Sequence, residues 1–118
     1  MIYGSEYLPT RAEVLKFCQN SQLRHSEWYK IRDEYRIYEI LTQEYVSALA
    51  EILQPYKKIL EVGAGDGRLS HFLRQRLPNA AIVAIDDYSW GIEPLFQVEK
   101  MGIKTGLNKY CPEIVVSS

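Results

Sequence analysis

The sequence predicts an α/β protein in which helices precede a parallel β-sheet. Three observations carry this. Two short apolar runs, Ile59-Leu60-Glu61-Val62 and Ala80-Ala81-Ile82-Val83-Ala84-Ile85, are bounded by charged or turn residues and have the composition of strands buried on both faces. Between them, Leu69, Phe72, Leu73 and Leu77 follow a glycine-rich turn at helical spacing. Strand, crossover helix, strand is the unit from which parallel sheets are built. Finally, capping signals and helical stripes mark roughly the first half of the chain as helical.

In chain order, Met1 to Pro9 is tyrosine-rich and irregular. Thr10-x-x-Glu13 is a capping box, and Val14, Phe17 and Cys18 continue a helix that fades near Asn20-Ser21. Ser26 caps a second expected helix with Trp28, Ile31, Tyr35 and Tyr38 along one stripe. Its other faces carry Lys30, Arg32, Asp33, Glu34 and Arg36, so it reads as an amphipathic helix that covers a core. Thr42 caps a third, with Val46, Leu49, Ala50 and Leu53 buried, and Pro55 ends it. After the second strand, Pro94 and Gly102 suggest a helix near Leu95 to Met101, and Ile103-Lys104-Thr105 a very short third strand. Gly106 to Tyr110 reads as a turn or half-helix, and Glu113 to Ser118 as a fourth strand.

The 118 residues suit one domain with one core. A content of 47% hydrophobic and 25% charged residues is that of a soluble globular chain, and a net charge of −1 gives no overall pull toward nucleic acid. No apolar run approaches a membrane span and the first residues lack a signal-peptide pattern, so a cytoplasmic protein is expected. Cys18 and Cys111 show no CxxC spacing, and His25 and His71 show no metal-ligand spacing. Two free thiols and no metal site are expected.

The chemistry concentrates in Glu61-Val62-Gly63-Ala64-Gly65-Asp66-Gly67-Arg68. Glycines at 63, 65 and 67 allow a sharp turn and the approach of bare backbone to a ligand. The first N–H groups of the following helix lack intrahelical partners and point back at this loop. A dinucleotide loop, G-x-G-x-x-G, would need its third glycine at position 68, which is Arg68. It also leaves the acidic Glu61 unexplained. The competing structural reading is a tight turn with ordinary strand-end aspartates.

The pattern Glu61-x-Gly63-x-Gly65-x-Gly67 resembles the first motif of class I S-adenosylmethionine-dependent methyltransferases. The resemblance implies a Rossmann-like sheet in which the backbone of Gly63, Ala64, Gly65, Asp66 and Gly67 lies against the amino-acid part of the cofactor. Glu61 would support the loop and the cofactor's ammonium. The second strand ends in Asp86-Asp87, about 20 residues after the loop, where an acid in dinucleotide sites holds ribose. The methyltransferase family places an acid there too, with Asp86 the first candidate and Asp87 the reserve. A carboxylate suits the task, because its two oxygens can accept from a vicinal diol. Tyr88 or Trp90 could stack on adenine. In that family a residue at the end of the third strand touches the adenine edge, and the resemblance makes Asn108 the candidate here. Helices before the first strand in that family can shape the entrance, so Arg32, Tyr35, Arg36 and Tyr38 could reach the site, but solvation and packing are the favoured account of them.

The resemblance covers residues 57–118, the cofactor-binding half of such a domain, with residues 1–56 as a helical segment packing on the sheet. That family's complete sheet has seven strands in the order 3-2-1-4-5-7-6, and only the first four are found here. The expectation is either a piece of a longer protein or a subunit whose exposed fourth strand pairs in a homo-oligomer. No catalytic residue and no methyl acceptor are legible. The alternatives are a non-catalytic methyltransferase-like module acting in assembly and, from the glycine loop alone, a nicotinamide-dependent oxidoreductase.

Overall fold

The computed structural model describes residues 7–21, 41–89, 91 and 96–117. The expected helix capped by Ser26, and Trp90, lie outside the described residues. Helix α1 (Arg11–Ser21) begins at the expected capping box. The Thr10 N–H donates to Glu13 Oε1 and the Glu13 N–H donates to Thr10 Oγ1, both at 3.1 Å. A second carboxylate, from Glu44, accepts the Arg11 N–H at 3.0 Å. Two acidic side chains therefore satisfy amide donors that the helix itself cannot.

Helix α2 (Gln43–Leu53) is capped by Thr42, whose hydroxyl accepts the Tyr45 N–H at 3.2 Å. Its buried stripe is Val46, Ala50 and Leu53, with Leu49 packed beside them. Then come β1 (Lys58–Val62), α3 (Arg68–Arg76) and β2 (Ala81–Asp86). The chain continues through β3 (Glu99–Lys100), α4 (Ile103–Tyr110) and β4 (Ile114–Ser117). The four strands form one all-parallel sheet in the order β3-β2-β1-β4, an α/β Rossmann-like arrangement preceded by helices. Among the described residues, no helix is long and apolar enough to cross a membrane.

Alternation along the strands divides the core into two layers. Ile59 of β1 and Ile82 of β2 face Leu69, Phe72 and Leu73 of α3, with Val46, Ala50 and Leu53 of α2 beyond. Leu60, Val62 and Ile85 face the other way, toward Met101 and Tyr110. Ile114 and Val116 of β4 pack on the α3 side. Val115 points to the opposite face and is 43% exposed, and no described strand pairs with the outer edge of β4.

The region after β2 departs from the sequence reading. Residues 96–98 are a bend and coil, not part of a helix, and the third strand is Glu99–Lys100, paired with Ile85 and Asp86. Residues 103–105 are the first turn of α4, and Gly102 stands before that helix, with extended φ −77 and ψ 166, instead of ending another. The reason is a close approach. Gly106 is buried, and a Cβ there would lie 2.5 Å from Ile85 Cδ1 and 3.5 Å from Leu60 Cδ2. The helix seats on the sheet through its glycine, while Ile103 and Leu107, which carry the apolar signal, remain exposed.

The start of the sheet is fixed by Glu113. Its Oε1 accepts the N–H groups of Lys57 at 2.7 Å and Lys58 at 3.0 Å, while its own N–H donates to Lys58 O. These amide bonds hold the Glu113 carboxyl below the usual glutamate range. A depressed folded-state pKa contributes stability above the unfolded value of about 4.3 that is lost as pH falls through the folded value. The denaturation midpoint of the wild-type chain is therefore expected to fall below about pH 4.3, with a shallower fall in Glu113→Gln, read by urea titration across that window. Gly106→Val is expected to destabilise the chain by about 2 kcal/mol through overpacking against Ile85 and Leu60, measured in the same titration at neutral pH.

Candidate cofactor site

Strand order reverses at β1, with β2 and β3 on one side and β4 on the other. The crevice outside the carboxyl ends of β1 and β4 is the topological switch point, where open α/β sheets bind ligands. The glycine loop leaves β1 at this edge. Its turn is closed by the Gly67 N–H donating to Ala64 O, and the Ala64 N–H donates to Ile85 O at the end of β2, both at 3.0 Å. Gly63 is exposed, with φ +62, and a Cβ placed on it would meet nothing within 4 Å. The side of Gly63 on which a Cβ would stand is therefore open space.

Asp86 sits at the end of β2 with its carboxylate turned to the loop. Oδ2 accepts the Gly65 N–H at 2.8 Å, and Oδ1 accepts the Tyr88 N–H at 2.7 Å. The structure thus brings together Gly65 and Asp86, 21 residues apart in sequence. Asp87 is exposed and turned to its own strand end, where Oδ1 accepts the Ser89 N–H at 2.9 Å and so lowers its pKa.

Glu61 lies beneath the loop. It is 1% exposed, and its Oε1 accepts the Ser70 hydroxyl at 2.6 Å. It shares the α3 side of β1 with Ile59, as strand alternation demands. Nearby, the Arg74 Nε donates to Ile82 O at 3.1 Å. Burial lowers the Arg74 pKa, and the Glu61 charge acts in the opposite direction.

The start of α3 faces the loop as expected, and its first amide is taken by the loop itself. Asp66 Oδ1 accepts the Arg68 N–H at 3.0 Å, and Arg68, Leu69 and Ser70 are all buried. Residues 96–98 cross over this helix start. The Phe96 N–H donates to Asp66 O at 3.0 Å, and the Phe96 ring stacks on His71 with centroids 4.0 Å apart. Val98 lies on Gly67, whose φ is +83 and whose absent Cβ would stand 2.6 Å from Val98 Cγ2. Tyr88 anchors the crossing from the other side, its hydroxyl donating to Val98 O at 3.1 Å. Its φ of +60 is uncommon for a non-glycine residue, and the N–H bond to Asp86 holds it there. Burial, and then the Asp86 charge, raise the Tyr88 pKa.

Among the predicted site residues, Gly63, Ala64, Gly65, Asp66, Gly67 and Asp86 form one contiguous surface and its immediate support. Glu61 is an inner support, and Asp87 stands apart on the exposed side. Asn108 lies in the last turn of α4, at the sheet edge opposite the glycine loop, which removes it as an adenine contact. The sequence reading missed Ser70, Tyr88 as an anchor, and the Phe96–Val98 crossing. Only Ser70 had a signal, since an acid in a buried strand needs a donor and Ser70 is a polar residue on an apolar helix face.

A cavity of about 270 Å³ lined by Tyr7, Leu8, Gln43, Phe72, Gln75 and Arg76 lies toward the far end of α3, away from the loop. No His, Cys, Asp or Glu cluster able to hold a metal occurs among the described residues. No protein-family model matches the chain. No curated protein is detectably similar to it.

Gly67→Ala combines a left-handed backbone with a clash on Val98. It is expected to cost about 2 kcal/mol, the left-handed penalty of about 1–2 kcal/mol plus repacking. Thermal denaturation measures the loss, and amide exchange at Phe96 is expected to rise with it.

Proposed function

We propose that this chain is the cofactor-binding portion of a class I S-adenosylmethionine-dependent methyltransferase. The observation that supports this best is the Asp86 carboxylate held against the Gly65 amide at the carboxyl end of β2, in a sheet ordered β3-β2-β1-β4. Each Asp86 oxygen uses one acceptor position on a backbone amide and keeps another. In this reading a ribose diol is taken by the remaining acceptor positions, with both amide bonds kept. Beside it, the open space at the Cβ position of Gly63 suits the amino-acid part of the same ligand. On these observations the residues fit the cofactor.

The same geometry disfavours a nicotinamide dinucleotide. Its pyrophosphate needs the amides at a helix N-terminus. Here Asp66 places a carboxylate on that terminus, and Phe96 and Val98 cover it. A phosphate would meet packed side chains and an amide already taken by Asp66, whose other oxygen lies 3.6 Å from Arg68 Nε, whereas a phosphate-free nucleoside has no such need.

Bound S-adenosylmethionine would supply an electrophilic methyl group on a sulfonium centre. The protein's contribution to such a displacement is chiefly to hold the donor in line with an acceptor. Asp86 and the glycine loop account for the donor half of that task.

The test is calorimetric titration with S-adenosylhomocysteine and, separately, with NAD. Binding of the first and not the second is expected. Binding of NAD alone would replace this reading with an oxidoreductase, and binding of neither would leave a non-catalytic α/β module. Removing both ribose hydroxyls from the ligand is expected to weaken binding by about 1.5–3 kcal/mol, the range for hydrogen bonds to a charged group. In Asp86→Ala the same removal is expected to make little further difference. An equal loss in both proteins would place the ribose elsewhere.

A further inference from the structure

Ser70 is buried at 0% exposure in the first turn of α3, and its hydroxyl is committed to a carboxyl that is itself 1% exposed. The bond joins Glu61, the last but one residue of β1, to the third residue of α3. It therefore closes a ring around the whole glycine loop. At 2.6 Å it is a short hydroxyl–carboxyl hydrogen bond. From the β2 side the loop is held by two further bonds, Ala64 to Ile85 O and Gly65 to the Asp86 carboxylate. Between these two grips, Gly63 keeps its open face. The ligand-facing backbone is thus fixed from behind by a contact that no ligand can touch.

We infer that Ser70 is a positioning residue for the glycine loop: acting through Glu61, it sets the loop conformation that receives the cofactor. The inference rests on the cofactor reading above only for its ligand-binding consequence. Its structural half, that the Glu61–Ser70 bond fixes the loop more than it stabilises the core, holds or fails independently. The physical reason for a local effect lies in the contacts. Ile59, Ile82, Leu69, Phe72 and Leu73 pack the α3 face without help from the hydroxyl. Within the loop Gly63, Gly65 and Asp66 are not buried, and the polypeptide there is held by a handful of hydrogen bonds.

The experiment compares the unaltered chain with Ser70→Ala and with the near-isosteric Ser70→Cys, whose thiol is only a weak donor. Amide hydrogen exchange is first measured without ligand. In Ser70→Ala, exchange at Ala64 and Gly67 is expected to rise about tenfold while the amides of β1 and β2 are unchanged, and S-adenosylhomocysteine affinity is expected to fall about tenfold. Ser70→Cys is expected to show part or all of both changes. Unchanged loop exchange in Ser70→Ala overturns the inference, as does an equal rise through β1 and β2 or failure of the variant to fold, either of which marks a general core role. Full wild-type behaviour in Ser70→Cys also overturns it, because side-chain volume and not the hydrogen bond would then matter. Faster loop exchange with unchanged affinity overturns the binding half. If the unaltered chain binds no S-adenosylhomocysteine, the cofactor reading falls and the exchange data alone decide the role of Ser70.

Discussion

Glu61 carries an ionisable group into the centre strand of a parallel sheet, and 1% of its surface remains exposed. Burying such a group costs several kcal/mol unless it is hydrogen-bonded. The Ser70 hydroxyl supplies a short bond to one of its oxygens. Because the acid comes from the end of β1 and the hydroxyl from the start of α3, satisfying the acid also fixes how the chain passes from strand to helix. The glycine loop is the consequence. Its residues have positive φ at 63, 65 and 67, conformations that must be held in place by what surrounds them.

From that junction the rest of the carboxyl edge follows. Ala64 and Gly65 reach sideways to β2, so the loop and the Asp86 carboxylate are positioned together. Asp86 then turns the next segment through its bond to the Tyr88 amide, and Tyr88 anchors Val98 over Gly67. A chain of short polar contacts thus runs from the loop, through the end of β2, and back over the start of α3. Its effect is to leave space at the Cβ position of Gly63 and to pack the helix start beside Gly67. The distinction matters for the proposed cofactor, because phosphate binding uses the amides of a helix terminus whereas a ribose diol needs only a carboxylate with acceptor positions to spare.

Strands β1, β2 and β4, helices α1, α2 and α3, and the loop between β1 and α3 were legible because their signals are local. The Thr10–Glu13 box, the Thr42 cap and the stripe of Leu69, Phe72 and Leu73 each state their structure within a few residues. The segment after β2 was not legible, and the reason is geometric. A two-residue strand has no periodicity to detect, and Glu99–Lys100 is a strand only because Ile85 and Asp86 pair with it. Helix α4 misled in a similar way. Its contact with the sheet runs through Gly106, a residue that reads as a turn until Leu60 and Ile85 are seen beneath it.

For the site, residue types and spacing along the chain determined that a glycine turn would join a buried strand to an amphipathic helix, with an acid ending the next strand. Strand pairing and chain crossing decided the rest: that Asp86 grips Gly65, that Ser70 answers Glu61, and that Phe96 and Val98 close the helix terminus. Propensities and patterns act over a few residues and are written in the sequence. Contacts between residues about 10 to 30 positions apart depend on where the whole sheet places them, and no local rule carries that information.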